Sequence, residues 1–369
     1  MSDRIHVGTR KGLFTVERGA GGWRVTGTAF LGDPVPMTLS DTGDNTLYAA
    51  LNLGHFGSKF QRSTDGGKTW KEVGVPAFPA DPSETATSET SKEAKAPSLK
   101  QIWCLETGGP GRSGFLWAGT IPGGLFTSTD RGESWTLVSS LWDMPERKQW
   151  FGGGADLPGI HSLCVDPRDS RRVLAGVSVG GAWLTKNGGD TWEVRSQGMR
   201  ADYMPPDKQL DPVAQDPHRI VQCPAAPEVF WCQHHNGVFR STDGGAAWTE
   251  VTTVKPSVFG FGVAVHPRDP NTAWFVPAVK DECRIPVDGK MVAARTRDGG
   301  KTFTVLREGL PQDHAYDLVY RHALDVDDTG DRLAMGSTTG ALWISENQGD
   351  SWQAVSVHLP PVYSVRFEK

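Results

Sequence analysis

One eight-residue pattern recurs six times along the chain, and no other property limits its possible folds so strongly. It runs Ser63-Thr-Asp-Gly-Gly-Lys-Thr-Trp70, Ser128-Thr-Asp-Arg-Gly-Glu-Ser-Trp135 and Thr185-Lys-Asn-Gly-Gly-Asp-Thr-Trp192. It returns as Ser241-Thr-Asp-Gly-Gly-Ala-Ala-Trp248, Thr296-Arg-Asp-Gly-Gly-Lys-Thr-Phe303 and Ser345-Glu-Asn-Gln-Gly-Asp-Ser-Trp352. A hydroxyl is followed two places on by Asp or Asn, then by Gly, then by an aromatic ring. Short acidic and amide side chains can bond nearby backbone amides, and Gly supplies the positive φ of a tight hairpin. The ring restarts a strand and covers the turn with apolar surface.

Upstream of each hairpin lie two more strand-like runs, such as Val173-Leu-Ala-Gly-Val177 and Gly181-Ala-Trp183. Before these comes an apolar run ending in an acidic or Pro-rich turn, as in His161-Ser-Leu-Cys-Val-Asp-Pro-Arg-Asp169. Each unit is therefore four short strands, the content of one propeller blade. The N-terminal run Ile5 to Phe14 repeats the second and third strands, Trp23 supplies a closing ring, and Tyr363-Ser-Val-Arg-Phe367 matches a lone first strand. Joining these makes a seventh blade that closes the ring and removes exposed sheet edges. The expected architecture is an all-β, seven-bladed β-propeller of four-stranded blades, one domain over residues 1–369.

The repeat resembles the Asp box, or BNR repeat, of sialidases, xyloglucan-active propeller hydrolases, sortilin-type receptors and a photosystem II assembly factor. That resemblance implies the fold and leaves activity open, because its members include enzymes, receptors and assembly factors. It also implies that Asp65, Asp130, Asn187, Asp243, Asp298 and Asn347 are scaffold. A sialidase would carry three arginines for a carboxylate, a Tyr–Glu nucleophile pair, an acid Asp and an Arg-Ile-Pro near the N-terminus. Here that tripeptide occurs only at Arg284-Ile-Pro286, five blades late, which argues against a sialidase. The paired propellers of the xyloglucan cleft are missing too, so a small-ligand site is preferred over a polysaccharide endo-hydrolase.

Loops on the face opposite the Asp-box hairpins are the long ones, and long loops on a rigid scaffold usually carry function. They gather most of the ten histidines. His161, His218, His322 and Tyr363 open first strands and should point to one axial mouth. His234 and His235 lie nearby, with His55 on a neighbouring loop. Imidazole is a common transition-metal ligand and titrates near neutrality. His161, His218, His234, His235 and His322 are accordingly candidate ligands for a divalent transition metal, or else hydrogen-bonded fillers of a wet channel. His161, His322, Asp281 and Tyr316 are the candidate catalytic groups. Arg219, Arg284, Arg321, Trp103, His55 and Tyr363 are candidates to hold substrate. A glycosidase would need two carboxylates, and Asp156, Asp202, Asp216, Asp281, Glu282, Asp313 and Asp317 are available.

The expected function is a hydrolase or lyase, glycosyl-hydrolase-like or metal-assisted, acting on a small polar or carbohydrate-like ligand. The alternative is a non-enzymatic binding or assembly propeller. A net charge of −5 without a basic block argues against nucleic acid. No apolar run is long enough for a membrane span, and the N-terminus has no signal core. Five cysteines without metal-finger spacing suit reduced thiols and a cytoplasmic location. Residues 74–100, poor in apolar side chains, read as a mobile loop.

Overall fold

The computed structural model describes residues 2–80 and 96–368. Seven antiparallel sheets of four strands each stand around one axis. Six are contiguous in sequence: Met37–Val73, Gln101–Leu137, Gly159–Val194, Pro217–Val251, Gly260–Leu306 and Leu324–Ser356. The seventh joins Arg4–Thr9, Gly12–Gly19 and Gly22–Ala29 to the chain's last strand, Val362–Phe367, which takes the innermost place. Val7 pairs with Val365 and Ile5 with Phe367, so the blade expected from the two chain ends forms. Innermost strands contact their neighbours all the way round, Val362–Phe367 finally meeting Met37–Asp41. Among the described residues no helix is long and apolar enough to cross a membrane.

Rings fill the wedges between blades. Trp117, Trp183, Trp231 and Trp274 are fully buried, together with Tyr48, Phe60 and Phe126. A buried indole still needs a partner for its N–H. Trp231 donates to the Pro270 carbonyl at 3.0 Å and Trp274 to that of Gln348 at 2.8 Å, each tying one blade to the next. The five cysteines are unpaired, four of them buried.

The six hairpins repeat one hydrogen-bond circuit, the fourth without its last hydroxyl bond because Ala247 replaces Ser or Thr. In the first, Ser63 Oγ donates to Asp65 Oδ1 at 2.8 Å and accepts the Gly67 N–H at 2.9 Å. Asp65 Oδ1 accepts the Thr69 N–H at 2.9 Å, while Oδ2 accepts the Thr69 hydroxyl at 2.6 Å. Where Asn replaces Asp, Asn187 Oδ1 accepts the Thr191 N–H at 3.0 Å and its amide donates to the Thr191 hydroxyl. The final Gly of each box has a left-handed φ, for example 85° at Gly67 and 92° at Gly300. These contacts hold the Asp65 and Asp298 carboxyls well below the ordinary aspartate range, Asp298 at about 2.

Part of the 74–100 stretch lies outside the described residues. Its beginning is anchored: Trp135 donates to the Gly74 carbonyl at 2.9 Å, and buried Phe78 packs on Phe126 and Trp142.

Candidate functional site

Asp-box hairpins and first-to-second-strand turns share one face, linked by contacts such as Gly188 N–H to the Arg171 carbonyl at 2.8 Å. The opposite face holds two cavities of about 730 and 600 Å³. Gly154, Phe261, Arg284 and Arg321 line both, so the two form one continuous cleft across the axial mouth.

A recurring backbone irregularity aims side chains into it. Strand pairing slips between Ile102 and Cys104, between Ile160 and Ser162, and between Pro217 and Arg219. It slips again between Gly260 and Val263, and between Gly8 and Thr9, whose partners are Ser364 and Val362. The residues left over are Trp103, His161, His218, Phe261 with Gly262, and Tyr363. A bulge leaves one residue unpaired and turns its side chain from the regular alternation. Five innermost strands thus carry a ring side chain at one level near the mouth.

The first cavity is lined by Trp103, Phe56, Tyr320, Tyr363, Asn52, Gln101 and His322, among others. At its floor Arg321 is buried, its guanidinium lying 4.8 Å from the Trp103 ring and 5.1 Å from that of Phe261. It has no carboxylate partner among the described residues. Nη2 makes one long contact, 3.4 Å to Ser178 Oγ, and Nε is buried without a partner. Burial lowers its pKa to about 10, with Asp216 the leading opposing charge, so the group stays cationic at neutral pH. The glycines at 152–154 permit this placement. A Cβ on Gly154 would come 2.7 Å from Arg321 Nη2, and one on Gly153 would come 3.1 Å from Asp216 Oδ2.

The second cavity exposes a cluster around Asp216. Asp216 Oδ2 lies 3.6 Å from His218 Nε2 and 3.5 Å from His235 Nδ1. His218 Nδ1 faces the Gly260 carbonyl at 2.7 Å. A carbonyl only accepts, so Nδ1 carries the hydrogen and Nε2 turns a lone pair toward the carboxylate. Burial opposes ionisation of Asp216, but the two adjacent imidazoles and nearby charge hold its pKa well below the ordinary value. Burial lowers the pKa of His218, whereas the nearby Asp216 carboxylate raises that of half-buried His235. Asp216 Oδ1 is buried and unpartnered.

The five candidate metal-binding histidines are not one cluster. His234 faces backbone N–H groups with both nitrogens, Asp216 N at 3.0 Å and Asn236 N at 3.1 Å. His161 is buried beneath the Trp103 ring, with Nδ1 on Ser162 Oγ, and burial drives its pKa far down. His322 gives its Nε2 hydrogen to the His161 carbonyl at 2.8 Å, and its pKa also falls on burial. The structure therefore brings together His218 and His235 and adds Asp216.

Of the remaining candidates, Trp103, Arg284, Arg321, Tyr363 and His322 line the cleft, and Asp281 lines its second half, bonded to Arg284. His55 lines neither cavity; its ring lies tilted against Phe56, with centroids 3.9 Å apart. Tyr316 is 60% exposed and lines neither cavity. Arg219 departs from its expected place. It lines a smaller cavity of about 230 Å³ on the Asp-box side and donates to the His161 carbonyl. Phe261, Ser178 and the 152–154 glycines were not singled out in the sequence. A ring two places into a first strand is the signal that could have marked Phe261.

The BNR/Asp-box repeat family matches residues 61–72, within the first hairpin. A Neosartorya fischeri protein named as a probable oligoxyloglucan-reducing end-specific xyloglucanase is 24% identical over 353 residues. The match covers 88% of this chain and 39% of that protein. The chain therefore spans well under half the length of this curated relative. Among solved structures, a xyloglucanase of Xanthomonas campestris superposes with a TM-score of 0.66 at 17% identity, covering 96% of this chain and 53% of the other. YCF48 bound to D1 peptide matches with a TM-score of 0.55 at 15% identity, covering 94% and 93%. Identities this low establish the shared Asp-box propeller fold.

Proposed function

We propose that the protein is a glycosyl-hydrolase-like enzyme that binds an acidic carbohydrate chain along the loop-face cleft, with Arg321 receiving a sugar carboxylate. The observation that carries this reading is the buried guanidinium without a carboxylate partner. A buried cation costs several kcal/mol unless it is compensated, and a planar carboxylate matches its fork of donors. Trp103, Tyr320 and Tyr363 give the cleft flat apolar surfaces, while Asn52 and Gln101 offer polar groups for orientation.

The preference for a small ligand over a polysaccharide is revised here. Two cavities with shared walls make an extended groove, and the similar proteins are named for xyloglucan. The sequence comparison alone would suggest a neutral glucan, but Arg321 favours an acidic chain. Asp281 is tied to Arg284, and Glu282 sits 3.5 Å from Lys280 at the rim. Asp216 is the one fully buried carboxylate among the described residues of the cleft. The chemistry is accordingly assigned to the Asp216 cluster rather than to a pair of carboxylates.

The test is a panel of uronate-containing and neutral oligosaccharides, with binding measured by calorimetry and cleavage by product chromatography. Uronate-selective binding with cleavage supports the reading. Equal or exclusive binding of neutral xyloglucan fragments overturns the role of Arg321, and binding without turnover makes this a carbohydrate-binding propeller instead.

A further inference from the structure

We infer that Asp216, His218 and His235 bind one divalent transition-metal cation, with its open side toward the second cavity. The inference stands independently of the carbohydrate reading, since it rests on donor geometry alone. One donor atom from each residue lies within 4.8 Å of the other two. The separations from Asp216 Oδ2, 3.6 and 3.5 Å, are informative. A charge-assisted N–H to carboxylate bond is about 2.7–2.9 Å, so both are too long for a well-formed one. Two donors that each sit about 2.0–2.2 Å from a shared cation are roughly 3–4 Å apart, which is the spacing seen.

The surroundings point the same way. His218 Nδ1–H is spent on the Gly260 carbonyl at 2.7 Å, leaving Nε2 to face Asp216 as a lone-pair donor. Metal-binding histidines usually anchor their second nitrogen on a carbonyl or carboxylate in this manner. The His218 ring is also held by stacking on Phe261, with centroids 4.4 Å apart and planes 11° apart. Tyr203 meets the edge of His235 at 5.1 Å, its own hydroxyl fixed to the Ala214 carbonyl at 2.6 Å. Asp216 Oδ1, buried and without a partner, provides a further oxygen for a second bond.

Two imidazoles and one carboxylate suit Zn²⁺, Fe²⁺, Co²⁺ or Mn²⁺ better than Mg²⁺ or Ca²⁺, which favour oxygen alone. Three protein donors leave coordination positions for water or a ligand oxygen, as in reactive rather than structural centres. Those positions would open into the groove that Arg321 shares.

The test uses untagged, chelator-stripped full-length protein titrated with Co²⁺, followed by its visible ligand-field absorption, and with Zn²⁺ by calorimetry. One equivalent of each is expected to bind, with Zn²⁺ raising the melting temperature. Asp216→Asn should abolish binding. His235→Ala, at a partly exposed position that should tolerate truncation, should weaken it by at least two orders of magnitude. His358→Ala, on an exposed segment elsewhere, should change nothing. Failure of the wild-type protein to bind either ion below about 1 mM overturns the inference, as does binding that survives both cluster substitutions. Absence of both glycan binding and cleavage with metal binding intact would overturn the carbohydrate reading and leave the metal site standing.

Discussion

The two faces of this propeller use the same kinds of residue to opposite ends. On the Asp-box face, most charged groups and the box hydroxyls have partners, although single atoms such as Asp44 Oδ1 do not. Arg62 meets Glu133 at 2.9 Å, Arg168 meets Glu228 at 2.6 Å, and each hairpin repeats its closed circuit of hydrogen bonds. On the loop face, Arg321 is buried without a carboxylate, Asp216 Oδ1 is unpartnered, and His218 turns a lone pair toward a carboxylate. A satisfied network stabilises the fold and has nothing left to offer a ligand. An unsatisfied one lowers stability and is ready to bind.

That contrast can be broken most decisively at Arg321. Arg321→Met should weaken acidic-glycan binding by roughly 100-fold or more, because two charge-assisted hydrogen bonds disappear. The melting temperature should hold or rise, since an uncompensated buried charge goes with them. Calorimetry beside a thermal melt reads both, and a large fall in melting temperature would mean that Arg321 belongs to the scaffold.

A smaller effect is expected at Gly154→Ala. The added methyl would lie 2.7 Å from Arg321 Nη2 and push the guanidinium aside. Binding should fall about tenfold with little change in stability, as expected for a geometric displacement rather than a lost charge.

Ser128→Ala reverses the pattern on the other face. Ser128 Oγ accepts the Gly132 N–H at 2.9 Å and donates to Asp130 at 2.8 Å in a buried setting. Its loss should cost about 1–2 kcal/mol, a few degrees of melting temperature, and leave ligand affinity unchanged. Weakened binding in this variant would show that the faces are coupled.

The smallest effect lies in acid. Asp298 has its pKa lowered to about 2 from an ordinary 3.8 by hydrogen bonds from Thr302 and Thr296. A depressed folded-state pKa contributes stability that is fully present above the ordinary value and is lost as pH falls through the folded one. Denaturant midpoints should therefore be insensitive to this group near neutrality and decline between about pH 4 and 2. Asp298→Asn, which copies the side chain already present at Asn187 and Asn347, should flatten part of that decline.

The fold was legible because each blade repeats its own instructions: hydroxyl, Asp or Asn, Gly and ring, six times in order. The closing blade was legible for the same reason, as Ile5–Phe14 and Tyr363–Phe367 are fragments of one unit. The site was legible only where a residue type is unusual wherever it lands. Trp103, Arg284, Arg321 and Tyr363 fall in the cleft, as do His218 and His235. Asp216 stood among seven candidate carboxylates with nothing to set it apart, because its importance comes from burial beside two imidazoles brought in by neighbouring segments. Arg219 follows His218 in the chain yet faces the Asp-box side. The slip in pairing between Pro217 and Arg219 sends neighbouring side chains to different ends of the channel. Bulges leave little mark in a single sequence, since their cause is the twist of a strand against its partner.

The pairing of Arg4–Thr9 with Val362–Phe367 also dictates a timetable. During synthesis, the first three strands of the closing blade emerge roughly 330 residues before their inner neighbour. Until Phe367 is free of the ribosome the ring stays open, with the inner edge of Arg4–Thr9 unpaired. The last contact is thus also among the most distant in sequence, and such contacts carry the largest loop-closure cost. Escape from aggregation during that interval depends on how well the six continuous blades stack before the seventh is complete.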